Sequence, residues 1–395
     1  MRILQVHNYY QIPGGEDQVV RNEGELLKEH GHEVFLYSRR NDEIKQMNLI
    51  QKICLPFTAC FSLRTYRDVR KLILEKQIDI VHVHNTLPLV SPSVFYAAWS
   101  METPIVMTVH NYRLLCPGGV FYRKENVCME CVKKGVCHSV RYACYRGSRI
   151  QTFICALSMQ IHRWLKTYSR IKYICLTEFN KKQLLKLNQI PETHVFVKPN
   201  YTNYECEDVG MIEKKHGLVY AGRLEENKGI KVVLRAYRYL EKEVYANQID
   251  CVPQIMILGD GSLRKQCEAY VDKYKLKKVV FAGLQPVEEV RKTMAKAKAV
   301  VLPTLLYEGF PMNIAESFAT RTPIIGSDIG NVGDLIVDGV NGWKFPAGDY
   351  KALADIIVSL GQPDAKRCSF EMPASESWTP EGNYRKLMDI YERCK

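Results

Sequence analysis

The sequence predicts an α/β protein with two Rossmann-like domains, each built on a parallel sheet. Short runs rich in Val and Ile alternate with amphipathic stretches along the chain, and strands that alternate with helices at this spacing indicate βαβ units. The pattern restarts after a polar stretch, FVKPNYTNYECED, at 196–208. The 395 residues are enough for two domains of ordinary size.

The strands of the first domain are predicted at 2–8, 32–38, 78–84 and 104–110, and those of the second at 217–222, 253–259, 278–283, 299–304 and 322–327. We place the domains at 1–198 and 199–377. In doubly wound sheets, ligands bind at the carboxyl ends of the strands. We therefore expect two domains that face each other across a cleft lined by these ends, where His7, His84 and His110 follow strands of the first domain.

Composition and charge narrow the class of protein. Hydrophobic residues make up 46% of the chain and charged residues 25%, as in a globular protein. The net charge of +12 lies entirely in residues 1–200, which hold 28 Lys and Arg against 16 Asp and Glu. Such a basic half suits phospholipid headgroups, a lipid-linked phosphate or nucleic acid, or it serves solubility alone. The first apolar run is too short for a signal peptide, so we expect a cytoplasmic protein.

Two motifs at predicted strand ends of the second domain suit phosphate. In AGRLEENKG, at 221–229, Arg223 and Lys228 can form a cationic clamp for a diphosphate, although a turn before a basic helix would look similar. In LGDGSLR, at 258–264, Gly259 and Gly261 permit a tight turn whose amides can bind phosphate or ribose oxygens. Neither motif is a dinucleotide fingerprint or a Walker loop.

The stretch YEGFPMNIAE contains two carboxylates eight positions apart. Glu308 is predicted in the loop before a helix that begins around Met312, and Glu316 about one turn inside that helix. The amides of 309–313 would lie at the helix N-terminus, which favours an anionic phosphate. A carboxylate one turn further in can accept hydrogen bonds from both hydroxyls of a ribose.

Together with GGE at 14–16 and TVHN at 108–111, these motifs resemble those of family 4 glycosyltransferases with the GT-B fold, which are retaining enzymes that use nucleotide sugars. The resemblance implies that Glu316 binds the donor ribose, that Arg223 and Lys228 hold the diphosphate, and that His110 lies beside the reacting carbon. The catalytic residues would be His110, Glu308, Arg223 and Lys228. The remaining donor contacts would be Gly14, Gly15, Gly259, Gly261, Gly309, Phe310 and Pro311.

The resemblance also implies a reaction. A sugar would pass from a nucleotide-diphosphate donor to a lipid-linked glycan acceptor during synthesis of a surface polysaccharide, such as capsule or lipopolysaccharide. No catalytic metal is expected, since no D-x-D element is found. The enzyme would work at the inner face of the cytoplasmic membrane, and a last helix at about 378–395 would pack back on the first domain. The alternatives are an epimerase or phosphorylase on the same fold, or a zinc-containing nucleic-acid-binding protein.

A cysteine-rich insertion at 116–144 predicts a structural zinc. Cys128 and Cys131 have the C-x2-C spacing of a zinc half-site, which Cys116 and Cys144 can complete. Cys137 and His138 are rival ligands, and a similar insertion in a related subset of family 4 enzymes favours Cys144. Unmetallated thiols or a disulfide are the alternatives.

The apolar and basic stretch at 150–173 follows this insertion. Two interpretations remain open for it. It can lie in a membrane interface as an amphipathic segment, or it can form a core helix of the first domain.

Overall fold

The computed structural model describes residues 1–11, 14–203, 216–244, 252–362, 368 and 378–395. The chain divides into two compact units. The first consists of Met1–Phe121, Cys128–Asn203 and Glu376–Lys395, and the second of Tyr122–Val127 and Tyr204–Ser375. Each unit contains its own six-stranded sheet, so the predicted fold class of two parallel-sheet α/β domains is confirmed.

The sheet of the first unit is entirely parallel, in the order β2-β1-β3-β4-β7-β8. Its strands are β1 Arg2–Tyr9, β2 Glu33–Arg40, β3 Ile80–Val83, β4 Ile105–Val109, β7 Lys172–Cys175 and β8 Val195–Val197, and an antiparallel pair, β5 Tyr122–Arg123 and β6 Asn126–Val127, lies between β4 and β7 in the chain. The sequence did not predict β7 and β8. β8 has only three residues, and β7 begins at the end of the stretch at 150–173 that was predicted as a helix.

The first unit contains helices in addition to its sheet, and some of them pack directly on its strands. The helices are α1 Gly15–Glu29, α2 Glu43–Gln46, α3 Leu49–Cys60, α4 Leu63–Lys76, α5 Ser93–Trp99, α6 Glu130–Lys134, α7 Cys137–Arg141, α8 Arg149–Trp164, α9 Glu178–Leu184 and α16 Pro380–Cys394, with 3₁₀ turns at Thr167–Arg170 and Glu192–His194.

The second sheet is also parallel, in the order β11-β10-β9-β12-β13-β14. Its strands are β9 Leu218–Ala221, β10 Ile255–Leu258, β11 Val279–Gly283, β12 Ala299–Leu302, β13 Ile324–Ser327 and β14 Gly342–Phe345. Its helices are α10 Ile230–Arg238, continued by a π-helical segment Tyr239–Val244, then α11 Arg264–Tyr274, α12 Val287–Lys296, α13 Met312–Ala319, α14 Gly330–Leu335 and α15 Tyr350–Gly361, with a 3₁₀ turn at Glu226–Lys228. Five of these strands match the predicted runs, and β14 was missed.

The last helix, α16, belongs to the core of the first unit. Thr379 caps it by accepting a hydrogen bond from the amide of Gly382, and Leu387, Ile390 and Tyr391 are buried in the same apolar cluster as Ile3, Leu27 and Ile80. The helix is therefore fixed to residues more than three hundred positions earlier in the chain.

Helix α8 has two different faces. Ser148 caps its start by accepting from the amide of Gln151, and the inner face buries Cys155, Met159 and His162. The outer face is apolar but exposed, with Ile150 75% and Trp164 71% accessible. The helix thus contributes to the core on one side, as one interpretation predicted. Within the described residues, no helix has both the length and the apolarity needed to cross a bilayer.

Candidate active site

In the second unit, the loops after β9 and β10 are joined through their backbones. The amide of Gly222 donates to the carbonyl of Leu258 (2.9 Å), and that of Leu224 donates to Asp260 (2.9 Å). The amide of Leu263 returns a bond to the carbonyl of Leu224 (3.0 Å). The two phosphate-type motifs of the sequence therefore form one continuous backbone surface at the carboxyl ends of neighbouring strands.

Glycine is required where these loops touch. A Cβ on Gly259, whose φ is +135°, would lie 2.0 Å from the carbonyl oxygen of Gly222, and one on Gly261 would lie 2.6 Å from the backbone of Leu224. The Gly259 amide donates to a carbonyl at the end of β11, and the Gly261 amide to the Asp260 carboxylate. Both amides are engaged within the protein and both glycines allow close backbone packing, while the predicted donor contact of this turn stays a prediction.

Lys228 and Glu308 form an ion pair in the second unit. The Lys228 ammonium lies 2.7 Å and 2.9 Å from the two oxygens of the Glu308 carboxylate. The Thr304 hydroxyl donates to the same carboxylate at 2.9 Å. Glu308 is buried while Lys228 stays partly accessible. A lysine held in this way presents a positioned positive charge at the strand ends.

The backbone around Gly229 brings this pair together. Gly229 has a φ of +74°, and a Cβ there would lie 1.8 Å from the carbonyl oxygen of Pro303. The amide of Leu305 donates to the carbonyl of Asn227 at 3.0 Å. The loop that carries Lys228 therefore lies directly against the loop that leads to Glu308, although the two residues are 80 positions apart.

Arg223, the other predicted cation, is placed differently. Its guanidinium is about half exposed and pairs with Glu225 at 2.9 Å, while its carbonyl accepts a hydrogen bond from the Tyr220 hydroxyl (2.8 Å). Only the backbone of Arg223 is tied to the sheet. Its side chain can therefore turn toward an anion without breaking a buried contact.

Glu316 is a buried carboxylate on α13. The helix begins at Met312 after Pro311, as predicted, and the Asn313 side-chain amide donates to the carbonyl of Ala221 at the end of β9. Burial raises the pKa of Glu316 to about 6, and Arg291 from α12, 3.5 Å away, partly offsets this increase. Arg291 was not predicted, because only the packing of α12 on α13 brings it to the site.

The loop before α13 is held in place from two sides. Phe310 is buried, and the Asn331 side chain donates to the carbonyl of Gly309. Pro311, the residue before the helix, has a φ of −63° and offers no side-chain cap to the first helical amides. The segment 309–311 thus fixes where α13 starts, consistent with its predicted place beside the donor.

The three histidines at strand ends of the first unit have different roles. His7 is fully buried and hydrogen-bonds Asp17 at 2.7 Å, and His84 is buried 3.3 Å from Glu23. His110 is partly exposed, and its Nε2 lies 3.0 Å from Nδ1 of His84. Burial, followed by the nearby His84, holds the pKa of His110 well below its usual value. His110 is therefore a neutral imidazole at neutral pH.

Behind these rings lies a buried ionic cluster. Glu23 accepts contacts from His82 (2.9 Å) and from the Lys198 ammonium (3.2 Å). Although burial opposes it, these two neighbours hold the pKa of Glu23 well below its usual value. Glu23, His82 and His84 have ligand atoms close enough together for a metal ion. The ammonium in the same cluster already neutralises the carboxylate, so this is an internal ion pair network.

Glu16 and Arg113 form a polar group that the sequence did not single out. Glu16, in the first turn of α1, accepts from the side-chain amides of Asn85 (3.2 Å) and Asn111 (3.5 Å). Burial raises its pKa, and His7 is the largest of the opposing influences. In the described residues, Nε and Nη1 of Arg113 have no hydrogen-bond partner.

A pocket of about 60 Å³ adjoins this group, with His110, Asn111 and Arg113 in its lining. Gly14 and Gly15 begin α1 and are exposed; the preceding residues 12–13 lie outside the described part. The predicted contact of Gly15 with donor phosphates stays a prediction.

The cysteines of the insertion converge only in part. The Cys131 thiol hydrogen-bonds the Cys116 sulfur, and with the amides of Gly118, Gly119 and Phe121 it lowers the pKa of Cys116 to about 6. In the described residues, no three of the predicted cysteine ligands have sulfurs all within 4.8 Å of one another. The expected closed Cys₄ site is thus not formed in this structure. The rival ligand Cys137 is exposed.

Two parallel-sheet domains with cationic and carboxylate side chains at the strand ends of the second define an α/β protein of two-domain type with a candidate ligand site at these strand ends. Comparison with known proteins identifies the family. The model described as Glycosyltransferase Family 4 matches residues 13–205, and that described as Glycosyl transferases group 1 matches residues 206–370. The chain belongs to glycosyltransferase family 4, which confirms the predicted class of enzyme at the level of the family.

Curated relatives and solved structures agree with this assignment. The amylovoran biosynthesis glycosyltransferase AmsK of Erwinia amylovora is 29% identical over 52% of this chain, and the match spans only 51% of that protein. The phosphatidyl-myo-inositol mannosyltransferase of Mycolicibacterium smegmatis is 23% identical over 99% of this chain and 94% of its own length. Anabaena HepE, solved with UDP, has a TM-score of 0.60 at 14% identity, covering 100% of this chain and 98% of that one. The fold is GT-B.

Proposed function

We propose that this protein is a retaining glycosyltransferase that moves a sugar from a nucleoside-diphosphate donor to a lipid-linked glycan acceptor in surface polysaccharide synthesis. The observation that carries the proposal is the Lys228–Glu308 ion pair beside α13, with Glu316 one turn into that helix. Lys228, a cation suited to a diphosphate, and Glu316, a carboxylate suited to a ribose, thus both belong to the second unit and lie near the start of α13.

The donor would be held by charge and hydrogen bonds. The ribose hydroxyls donate to Glu316, and the diphosphate is held by Lys228 and Arg223. During transfer, the bond between the sugar's anomeric carbon and the diphosphate oxygen breaks, and the acceptor hydroxyl forms the new bond at that carbon. Negative charge grows on the leaving diphosphate, where Lys228 stabilises it. The departing phosphate takes the acceptor's proton, so no separate general base is needed.

His110 would contact the transferred sugar from the first unit. A neutral imidazole can exchange hydrogen bonds with sugar hydroxyls, and no described contact engages Nδ1 of His110. Glu16, Asn111 and Arg113 would extend this polar surface toward the acceptor. The proposed reaction uses no catalytic metal. The positive charges that face the leaving diphosphate come from Lys228 and Arg223.

The proposal is tested by nucleotide binding and by product analysis. Thermal shift with UDP, GDP and ADP is expected to show one nucleotide that stabilises the wild type, by about 2.7 kcal/mol at 100 times its Kd, but not Glu316→Ala. NMR of the product should show an unchanged anomeric configuration. Inversion would overturn the retaining assignment. Conversion of a nucleotide sugar without acceptor would indicate an epimerase, and phosphate-dependent cleavage a phosphorylase. If no nucleotide binds, the donor site is wrong, and salt-sensitive nucleic-acid binding becomes the next measurement.

The first unit offers a surface for an anionic membrane. Helices α3 and α8 pack on each other and contain no Asp or Glu. Their outer faces expose large apolar side chains, namely Leu49, Ile50, Ile53, Phe57, Ile150, Phe153 and Trp164. Exposed Lys52 and Arg149 lie on the same two helices. Apolar side chains beside cations suit a lipid interface, and we propose that this surface, the α3–α8 face, binds the inner leaflet. The mycobacterial relative is itself named for a phosphatidylinositol acceptor.

Flotation with vesicles containing phosphatidylglycerol tests the α3–α8 face. The wild type should float with anionic vesicles, and Phe57→Ser with Trp164→Ser should abolish this, while Leu284→Ser, which removes an equally exposed residue of the second unit, should have no effect. Equal binding by the double variant, or no binding by the wild type, would rule the surface out.

A further inference from the structure

The rings of His84 and His110 meet edge to edge where β3 and β4 end. Nδ1 of His84 lies 3.0 Å from Nε2 of His110, while the two ring centroids are 5.3 Å apart and the ring planes differ by 20°. The two nitrogens therefore lie between the rings and face each other. This contact is a hydrogen bond when one of the two nitrogens carries a proton and the other does not.

Both rings are neutral at neutral pH. Burial is the main cause that lowers the pKa of His84 to about 3 and holds that of His110 well below its usual value. A neutral imidazole has one nitrogen that donates and one that accepts. The nitrogen of His84 that carries the proton therefore decides which nitrogen of His110 carries one.

The Glu23 carboxylate selects the tautomer of His84. One of its oxygens lies 3.3 Å from Nε2 of His84. Although burial opposes it, the neighbouring His82 and Lys198 keep the pKa of Glu23 well below its usual value, so this carboxylate is ionised and can only accept. An ionised carboxylate attracts an N–H group and repels a nitrogen lone pair. Nε2 of His84 therefore carries the proton, and Nδ1 of His84 is left as an acceptor.

Buried neighbours fix the carboxylate and the ring in this arrangement. The Lys198 ammonium lies 3.2 Å from the second oxygen of Glu23 and donates to the Asn383 side chain at 2.8 Å. The ring of His82 stacks on that of His84 with centroids 4.3 Å apart. All five side chains are buried. The position of Glu23 relative to His84 is therefore set by the packing of the first unit.

We infer that Glu23, acting through His84, fixes His110 as the tautomer that carries its proton on Nε2. Because that N–H donates to His84, Nδ1 is the nitrogen of His110 that remains for a ligand, and it can only accept. For the transferred sugar, the inference rests on the proposed function, which puts His110 beside it. Glu23 and His84 are then positioning residues that make the site require a hydroxyl donor at one position of the sugar.

NMR of the full-length protein reads the tautomer directly. The protein is labelled with ¹⁵N-histidine and measured at pH 7.5 without nucleotide, where two-bond couplings to the ring protons distinguish a protonated nitrogen from a bare one. The signals of His110, assigned by comparison with His110→Gln, should show the proton on Nε2. A proton on Nδ1 of His110, or a charged ring, would overturn the inference. This readout does not depend on transferase activity.

A pair of substitutions tests whether His84 sets the tautomer. His84→Asn can keep a carbonyl oxygen near the place of Nδ1 and should keep the proton on Nε2 of His110, whereas His84→Leu removes the acceptor and should give a mixture of tautomers. Tyr391→Phe, which removes a hydroxyl 2.8 Å from Nδ1 of His82, is the control and should leave His110 unchanged.

The same spectra contain the results that would contradict the inference. An unchanged tautomer of His110 in folded His84→Leu would show that His84 does not set it. If His84→Leu does not fold, the wild-type signals of His84 decide, because its proton must lie on Nε2, the nitrogen that faces Glu23. A proton on Nδ1 of His84 would overturn the assignment.

Analogues of the donor sugar separate this inference from the proposed function. Replacing one hydroxyl by hydrogen or by fluorine, neither of which donates, should lower kcat/KM of the wild type by roughly 10-fold at one position, and His110→Ala should lose this discrimination. A fluoro analogue at that position as good as the parent sugar would contradict an accepting Nδ1. The expected tautomer without any sensitive hydroxyl would overturn the contact between His110 and the sugar, which belongs to the proposed function, while the tautomer stands.

Discussion

The carboxyl group of Glu316 combines a cost in stability with a binding role. With its pKa raised to about 6 from a usual 4.5, ionisation at neutral pH opposes folding by about 2 kcal/mol. Glu316→Gln is therefore expected to melt at a higher temperature than wild type at pH 8, yet to lose nucleotide binding. Wild-type affinity should rise as the pH increases through about 6, because the ionised carboxylate accepts the ribose hydroxyls better. Thermal shift and calorimetry measure both. Undiminished nucleotide binding by Glu316→Gln would remove this residue from the donor site.

Lys228 and Glu308 are expected to act as one unit. Lys228→Ala should lower kcat by about 10²-fold, because the leaving diphosphate loses a positioned cation. Adding Glu308→Gln to Lys228→Ala should cost much less than Glu308→Gln costs alone, since the two side chains are in contact. Lys231→Ala, which removes a lysine paired with Glu226 in the neighbouring turn, is the control and should stay near wild-type activity. Strict additivity of the two changes would show that the pair is not coupled during catalysis.

Among the connecting elements, the loop at Gly229 allows the effect of a clash to be separated from that of backbone conformation. Gly229→Ala would place a Cβ 1.8 Å from the carbonyl oxygen of Pro303, whereas Gly339 has the same φ of +74° and open space around it. We expect Gly339→Ala to cost about 1 kcal/mol through its left-handed backbone and Gly229→Ala to cost several kcal/mol and to impair activity. Denaturant unfolding measures both. Equal losses in the free energy of unfolding for the two variants would mean that the loop at Pro303 moves away from the added Cβ at no cost.

Helix α16 is fixed to the first unit by a buried polar contact as well as by its apolar face. Asn383 accepts from the Lys198 ammonium at 2.8 Å and donates to the carbonyl of Pro199 at 2.8 Å. Asn383→Ala should lower the free energy of unfolding by about 2–3 kcal/mol, since it leaves buried polar groups without partners. Glu381→Ala, at an exposed site on the same helix, should change little. A negligible effect of Asn383→Ala would indicate that water replaces the amide.

These elements also show what the sequence could and could not predict. Period and motif placed Lys228, Glu308 and Glu316 correctly at the end of a strand and the start of a helix, because each depends on local patterning. Arg291 was missed, since its partner is set by how two helices pack. The close approach of the Gly222 and Leu224 backbone to Gly259 and Gly261 was not predicted, because no local pattern shows which loop lies against another. β14 was missed because its sequence, GWKF, lacks the run of Val and Ile that marks the other strands.

Considered as a whole, the molecule contains two units whose stabilities should respond to acid in opposite ways. In the first unit, burial, followed by the nearby His82, lowers the pKa of His84 from 6.5 to about 3, and His110 is shifted in the same direction. Below pH 6.5 the unfolded chain binds protons at both histidines while the folded chain does not, so the stability of the first unit decreases as the pH is lowered. The low pKa of Glu23 adds a loss below 4.5, and the raised pKa of Glu16 opposes these losses in part.

In the second unit, Glu316 has the opposite sign. Its folded pKa of about 6 lies above the unfolded value of 4.5, so its unfavourable ionisation disappears as the pH falls between these values. Lowering the pH from 7.5 to about 5 should therefore loosen the first unit and tighten the second. Hydrogen exchange with mass spectrometry, corrected for the intrinsic pH dependence of exchange, should show protection lost first in β1, β3 and β4. Glu316→Gln should remove the gain in β9 and β12 and leave the first unit unchanged. Simultaneous loss of protection in both sheets of the wild type would show that other groups control the response to acid.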